Sequence, residues 1–156
     1  MRVLIVYGSQ FGTTERLARA MGAAIAPLHD VEVVASHAAE TRDGRGVDLL
    51  VVGAPTQLHG HRLLTRGFLR TLEAHGFAGA AAAAFDTRTH GDRGATGSSA
   101  EVIAGALSRA GCNLLAPAES FTVRGFRGPL DPGETERAQA WIRGLVRSVH
   151  PVLLPG

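Results

Sequence analysis

The chain contains no lysine: all 16 of its Lys-or-Arg positions are arginine. That absence excludes a P-loop lysine, a lysine Schiff base and a receiver-domain lysine together. The single cysteine, Cys112, cannot close an internal disulfide, which fits a reducing compartment such as the cytoplasm. No motif around it would activate the thiol, so Cys112 reads as a small apolar residue packed late in a helix. Aromatic residues make up only 5% of the chain, and neither an aromatic ladder nor a basic block points to nucleic acid. No apolar run approaches the roughly 18 residues of a membrane span. The beginning, Arg2 followed by a short apolar stretch, lacks the small-residue cleavage site of a secretory signal and reads as a first strand.

What is present is the composition of a folded protein: 156 residues, 45% apolar and 19% charged, with a net charge of +2. The length fits one domain over residues 1–156 with a single packed core. Strand-like and helix-like segments alternate throughout. Val3-Leu4-Ile5-Val6-Tyr7 is a buried strand, and the segment carrying Leu17, Met21, Ala24 and Ile25 is an amphipathic helix. Val31 to Val34 form a second strand, and the polar stretch 36–46 has room for only a short helix. Asp48 to Gly53 form a third strand, apolar enough to be covered on both faces. A helix is expected over about 61–73, with Leu64, Phe68, Leu69 and Leu72 on one face.

Residues 80–85 form a fourth strand despite their alanines, followed by a long polar loop over 86–97. Val102, Ile103, Ala106, Leu107 and Ala110 mark a fourth helix. Leu114-Leu115 and Phe121-Thr122-Val123 are two pieces of strand five, separated by Pro117. Arg124 to Arg127 read as a surface hairpin or a partner-docking element. The last helix opens at Asp131 or Pro132, stops at Pro151, and carries Ala138, Trp141, Ile142, Leu145, Val146 and Val149 on its core face. Five β/α units in this order imply a parallel sheet with helices on both faces and right-handed crossovers. Ligands of such sheets bind beyond the carboxyl ends of the strands. The loops expected there are 8–14, 54–60 and 86–97, which concentrate glycine, hydroxyl groups and histidine.

The first of these loops suits a phosphate. Ser9, Thr13 and Thr14 offer hydroxyls, Gly12 permits close backbone approach, and the helix start adds partial positive charge. The bland alternative is an ordinary strand-to-helix turn capped by Thr13 or Thr14. Neither the P-loop pattern nor the dinucleotide glycine pattern is present. A receiver domain would need an aspartate where Gly53 stands. His59-Gly60-His61 has the look of a metal pair, but no carboxylate or third ligand accompanies it, and no metal is expected. Arg88, His90, Asp92 and Arg93 read equally well as a solvated loop.

Val6-Tyr7-Gly8-Ser9-Gln10-Phe11-Gly12-Thr13-Thr14-Glu15 resembles the FMN-phosphate signature of the flavodoxin family. Gly53-Ala54-Pro55-Thr56 resembles the corresponding loop of flavodoxin-like quinone reductases and diiron flavoproteins. Phe85-Asp86-Thr87-Arg88, with Glu119-Ser120-Phe121 and Gly128-Pro129-Leu130, is similar to small bacterial flavodoxin-domain proteins. The resemblance implies a flavodoxin-like three-layer sandwich with strand order 2-1-3-4-5. It also implies FMN, its phosphate held by Ser9, Thr13, Thr14 and the N–H groups of Gln10, Phe11, Gly12, Thr13 and Thr14.

The flavin ring would then lie between Pro55, Thr56, Gln57, Leu58, His59 and Gly60 on one side and Asp86, Thr87, Arg88, His90 and Gly91 on the other. Two departures stand out. Phe11 replaces a hydroxyl usual at that position, a loss of about 1 kcal/mol if nothing replaces it. Neither ring loop contains an aromatic residue, which forgoes roughly 0.5–1.5 kcal/mol of stacking per face. His59 and His90 are the candidates for proton donation. Arg62, Arg88 and Arg93 outnumber Asp86 and Asp92 around the expected ring, which would favour the negatively charged reduced flavin and make it less reducing than in an acidic flavodoxin. Three functions follow from the resemblance: an FMN redox protein serving a partner protein or a small-molecule acceptor, a flavin oxidoreductase of the protoporphyrinogen or quinone type, or an accessory protein that has lost FMN.

Overall fold

Val3, Leu4, Ile5, Val6 and Tyr7 are all buried, because their strand is flanked by other strands on both edges and covered by helices on both faces. A computed structural model of the chain describes residues 1–56, 64–90, 98–125 and 127–149. Among them the elements run β1 (Arg2–Tyr7), α1 (Thr13–Ile25), β2 (Asp30–Ala35), α2 (Ser36–Ala39), β3 (Leu49–Pro55), α3 (Arg66–Leu69), β4 (Ala81–Thr89), α4 (Ser99–Arg109), β5 (Asn113–Leu114), β6 (Glu119–Val123) and α5 (Glu134–Val149). The strands form one parallel sheet in the order β2-β1-β3-β4-β5, with β6 also paired to β4. The divided fifth strand is therefore real: β5 pairs with Ala81 and Ala82, and β6 pairs with Phe85 to Thr89.

Side chains alternate across the sheet into two cores. Leu4, Val6, Leu50, Val52, Ala82 and Ala84 pack with Phe68, Leu72, Phe77, Ile103 and Leu107. Val3, Ile5, Leu49, Val51, Ala83 and Phe85 pack with Leu17, Met21 and Ile25 of α1 and with Ala138, Ile142 and Leu145 of α5. Trp141 meets Phe85 and Phe121 edge-on, with ring centroids 6.1 and 5.8 Å away, and so belongs to this second core. Gly53 lies beside Phe85 in the β3–β4 register. A Cβ there would fall 2.1 Å from the Phe85 ring, so the ring occupies the space that the glycine vacates.

Several expected boundaries move. The helix expected over 61–73 is reduced to the four residues Arg66–Leu69; residues 61–63 lie outside the described residues. Gly67 weakens a longer helix, and the chain goes on in hydrogen-bonded turns, with the Thr71 and His75 N–H groups donating to the Phe68 and Thr71 carbonyls. The apolar face is nonetheless kept, since Phe68 and Leu72 are buried. β4 runs four residues further than expected, so Asp86, Thr87, Arg88 and Thr89 are strand rather than loop. β6 alongside supplies the ladder partners that this extension needs. Arg88, expected in a solvated run, is only 8% exposed.

Cys112 falls just outside α4 rather than within it. Gly111 takes a positive φ of 91°, the Gly111 and Cys112 N–H groups donate to the Ser108 and Leu107 carbonyls, and the helix ends in a Schellman motif. The Cys112 thiol donates to the Phe77 carbonyl, and burial pushes its pKa up, away from reactivity. After β6 the chain turns back: Val123 bridges antiparallel to Leu130, and Arg124 N–H donates to the Pro129 carbonyl. α5 begins at Glu134, later than Asp131 or Pro132. Among the described residues no helix is long and apolar enough to cross a membrane.

The fit of Gly53 beneath Phe85 is directly testable. Gly53→Ala is expected to lower stability by about 1–3 kcal/mol, the usual penalty for overpacking a filled core. Urea unfolding checks this; an unchanged midpoint would show that the ring moves aside freely.

Candidate functional site

The carboxyl ends of β1, β3, β4 and β6 open onto a cleft. It is lined by Ser9, Gln10, Phe11, Thr13, Thr14, Pro55, Thr56, Thr87, Arg88, Thr89 and Val123, with about 460 Å³ of empty volume, open solvent included. Its floor is the turn after β1. Gly8 N–H donates to the Gly53 carbonyl at 2.9 Å, continuing the sheet by one bond. Gly8 has no room for a side chain, because a Cβ would lie 2.6 Å from the Leu64 Cβ. Gly12 takes the left-handed conformation, φ 85°, at the N-cap of α1, and among the described residues no side chain caps that helix. Thr13 and Thr14 therefore lie inside the helix rather than at its cap, so the threonine cap of the ordinary-turn alternative does not form. Thr13 and Thr14, in the first turn of α1, line the cleft, and the N–H groups of a helix's first turn have no intrahelical partner.

The hydroxyls of the turn are organised individually. Ser9 Oγ accepts from Gly12 N–H at 3.0 Å and so shapes the turn itself. Thr14 and Thr87 hydroxyls share a hydrogen bond of 2.8 Å across the buried floor. Thr13 Oγ1 donates to the Arg127 carbonyl at 3.4 Å. Phe11 is 40% exposed on the rim, with the Arg127 guanidinium carbon 5.3 Å from its ring centroid.

Asp86 has a different place from its neighbours. It is fully buried and does not line the cleft, because alternation along β4 turns it toward α4. Asp86 Oδ2 accepts from Thr56 Oγ1 and Ser98 Oγ, each at 2.6 Å, and from Ala100 N–H at 3.2 Å. Ser99 N–H in turn donates to Thr56 Oγ1 at 2.9 Å, and Ser99 Oγ to the Pro55 carbonyl at 3.0 Å. The carboxyl group thus ties the end of β3 to the start of α4 and holds Thr56 at the cleft wall. Ser98, the N-cap of α4, is a residue that sequence reading missed; the Ser-x-x-Glu pattern at Ser98 and Glu101 was its signal.

His90 stands at the end of β4, outside the cleft lining, and its Nε2 meets Asp131 Oδ2. Arg124 Nε lies 4.0 Å from Asp131 Oδ1. The Thr122 hydroxyl and then His90 hold the Asp131 carboxyl below its ordinary range. Three residues further on, at the start of α5, Glu134 accepts from Thr122 N–H at 2.8 Å and from Arg137 Nε at 2.9 Å. Arg137 is the main reason that the Glu134 carboxyl sits below its usual value. These contacts fasten the returning segment to β6 and α5.

Gln57, Leu58, His59, Gly60 and Gly91, also expected at the site, lie outside the described residues. Thr89 and Val123 line the cleft without having been expected there, and Arg127 comes up beside it against Phe11. Nothing local marks them; the pairing of β6 with β4 and the turn beyond β6 bring them in. Among the described residues no group of three or more His, Cys, Asp or Glu side chains could hold a metal ion.

No model of a known protein family matches the chain, and no curated protein matches it in sequence. Solved structures do match. A flavodoxin from the domain Archaea superposes with a TM-score of 0.76 over 96% of this chain and 99% of its own, at 20% identity. Oxidised flavodoxin 1 from Bacillus cereus has a TM-score of 0.76 over 94% of this chain and 98% of its own, at 15% identity. The fold is flavodoxin-like. Rubredoxin oxygen:oxidoreductase from Desulfovibrio gigas matches 96% of this chain with only 36% of its own, with a TM-score of 0.71 and 18% identity. A flavodoxin-like sheet places its strand-order reversal between β1 and β3, which is where Ser9 to Thr14 and Pro55-Thr56 meet at the cleft.

Two outcomes test this anatomy. Asp86→Ala strands two hydroxyls and one N–H in the interior and is expected to cost about 3 kcal/mol in urea unfolding; a loss below about 0.5 kcal/mol would mean that the network carries no weight. For Glu134, a carboxyl held low in the folded state stabilises the fold above its unfolded value and loses that contribution as pH falls through the folded value. Stability is therefore expected to decline as pH drops below 4.5, the ordinary glutamate value, and Glu134→Gln to flatten that decline. Unfolding midpoints measured along an acid series decide it, and parallel declines in the two proteins would refute the assignment.

Proposed function

We propose that the chain binds FMN in this cleft and works as a redox protein, exchanging electrons with a partner protein or a small-molecule acceptor such as a quinone. The observation that carries this reading is the turn of residues 8–12 leading into an α1 that no side chain caps. It opens at the carboxyl edge of a flavodoxin-like sheet, opposite Pro55, Thr56, Thr87 and Arg88. Uncapped helix donors beside hydroxyls are chemically suited to a phosphate monoester, so the residues present fit the group.

In this reading Ser9, Thr13, Thr14 and the N–H groups from Gln10 to Thr14 hold the phosphate. Pro55 and Thr56, fixed from behind by Asp86 and Ser99, form one wall for the ring. Thr87 and Arg88 form the opposite side, with His90 just beyond it against Asp131, and a cation on this side makes the site less reducing than an acidic one. Gln57, Leu58, His59, Gly60 and Gly91 complete the proposed set. When bound, the flavin supplies the redox chemistry, and the protein supplies orientation, electrostatics and access.

A second reading, an accessory protein without FMN, draws on Phe11: an exposed phenyl ring stands on the cleft rim where a hydroxyl would serve a phosphate. Titrating the purified protein with FMN separates the two. Saturable quenching of flavin fluorescence, with FMN bound at least about tenfold more tightly than riboflavin (about 1.4 kcal/mol), is expected for the redox protein. Absence of saturation at high micromolar flavin favours the accessory role.

A further inference from the structure

Two arginines sit in the turn beyond β6, and their surroundings differ. Arg124 faces Asp131. Arg127 has no carboxylate partner among the described residues; its guanidinium rests over the Phe11 ring, with the central carbon 5.3 Å from the ring centroid. Phe11 belongs to the turn that opens α1 and lines the cleft with Ser9, Thr13 and Thr14. A cation taken from a distant stretch of chain thus stands against Phe11 of a turn whose residues 8–14 include no cation; Arg16, just inside α1, turns its Nε to the Gly12 carbonyl at 3.3 Å.

The backbone brings it there by close contact. Thr13 Oγ1, in the first turn of α1, donates to the Arg127 carbonyl at 3.4 Å. Next in sequence, Gly128 has φ 79°, and a Cβ on it would lie 2.7 Å from Thr13 Oγ1. The hairpin therefore packs directly on the helix start, and any residue larger than glycine would push it away. Its other end is anchored by Arg124 N–H to the Pro129 carbonyl and Asp131 N–H to the Thr122 carbonyl. An aromatic face holds a guanidinium electrostatically, at roughly 0.5–1 kcal/mol for an exposed pair, and leaves its N–H donors free at their edges.

We infer that Arg127, seated on Phe11, is the counter-cation for the phosphate bound at residues 9–14 and determines selectivity for a phosphate monoester over its neutral parent alcohol. This rests on the FMN reading above. Phe11 then takes the place of a hydroxyl donor indirectly: the ring is the platform, and the arginine contributes charge-assisted hydrogen bonds that the turn lacks. An exposed cation of this kind acts through a screened field, so its contribution weakens as salt rises.

The test compares FMN with riboflavin for the whole chain and for Arg127→Gln and Arg127→Lys, by fluorescence titration between about 0.01 and 1 M salt, where the screening length falls from about 30 to about 3 Å. At low salt R127Q is expected to bind FMN about tenfold more weakly than the parent, with riboflavin affinity unchanged and the two FMN curves converging at high salt. R127K, which keeps the charge, is expected to stay within about threefold of the parent for FMN. Equal FMN affinity in R127Q and the parent overturns the role of Arg127 and leaves the FMN reading standing, as does R127K falling as far as R127Q. No FMN binding by the parent overturns both. If R127Q fails to fold, the parent decides alone: an FMN-over-riboflavin preference that ignores salt removes the counter-cation.

Discussion

The parallel pairing of β6 with the upper half of β4 governs the end of the sheet at which the cleft forms. Because Phe85 to Thr89 find ladder partners in Glu119 to Val123, the strand continues past the point where its polar side chains would otherwise release it to solvent. Period-two alternation then distributes those side chains. Asp86 points toward α4 and is buried, whereas Thr87 reaches across to Thr14 on the α1 side. The same β6 carries the returning turn that seats Arg127 and Gly128 on the start of α1. One pairing thus orders the floor, one wall and the cationic edge of the cleft.

Burying Asp86 would be costly without compensation, since a carboxyl group removed from water must recover its hydrogen bonds inside the protein. Here one oxygen gathers Thr56, Ser98 and the Ala100 N–H, three groups from two separate elements. The network ties the end of β3 to the start of α4 and holds Thr56 at the cleft wall. The N-terminus of α1 is treated in the opposite way. Ser98 caps α4 with its own side chain, while α1 begins from a left-handed glycine with no such cap. In one fold, one helix start is capped by a side chain and the other begins from a left-handed glycine instead.

Much of this was legible from residues alone. The strand Val3 to Tyr7, its glycine-bearing turn and the amphipathic helix after it were readable because apolar periodicity and turn chemistry are local properties. The divided fifth strand was readable from Pro117 and the apolar segments on either side of it. The loop expected at residues 86–97 failed at its first four residues, because polar strand ends look like loops until a neighbouring strand pairs with them. The long helix expected after Pro55 failed because its periodic leucines and phenylalanine report which side is buried, and a series of turns can bury the same side. Asp86 looked like a cleft residue for a related reason: its composition marks it as polar, and only alternation along a paired strand assigns its direction.

The sequence by itself determined the alternation of strands and helices, the parallel sheet, and a glycine- and hydroxyl-bearing turn after β1 with no lysine or arginine within it. All of these follow from interactions between residues a few positions apart. Tertiary structure alone decided that β4 extends to Thr89, that Asp86 serves as a buried anchor, and that Arg127 rests over the Phe11 ring. Those outcomes depend on contacts between separate elements, from Asp86 with Thr56, 30 residues apart, to Thr13 with Arg127, 114 apart, and on the few ångströms of clearance that Gly128 leaves. No pattern confined to a short window encodes a distance of that kind.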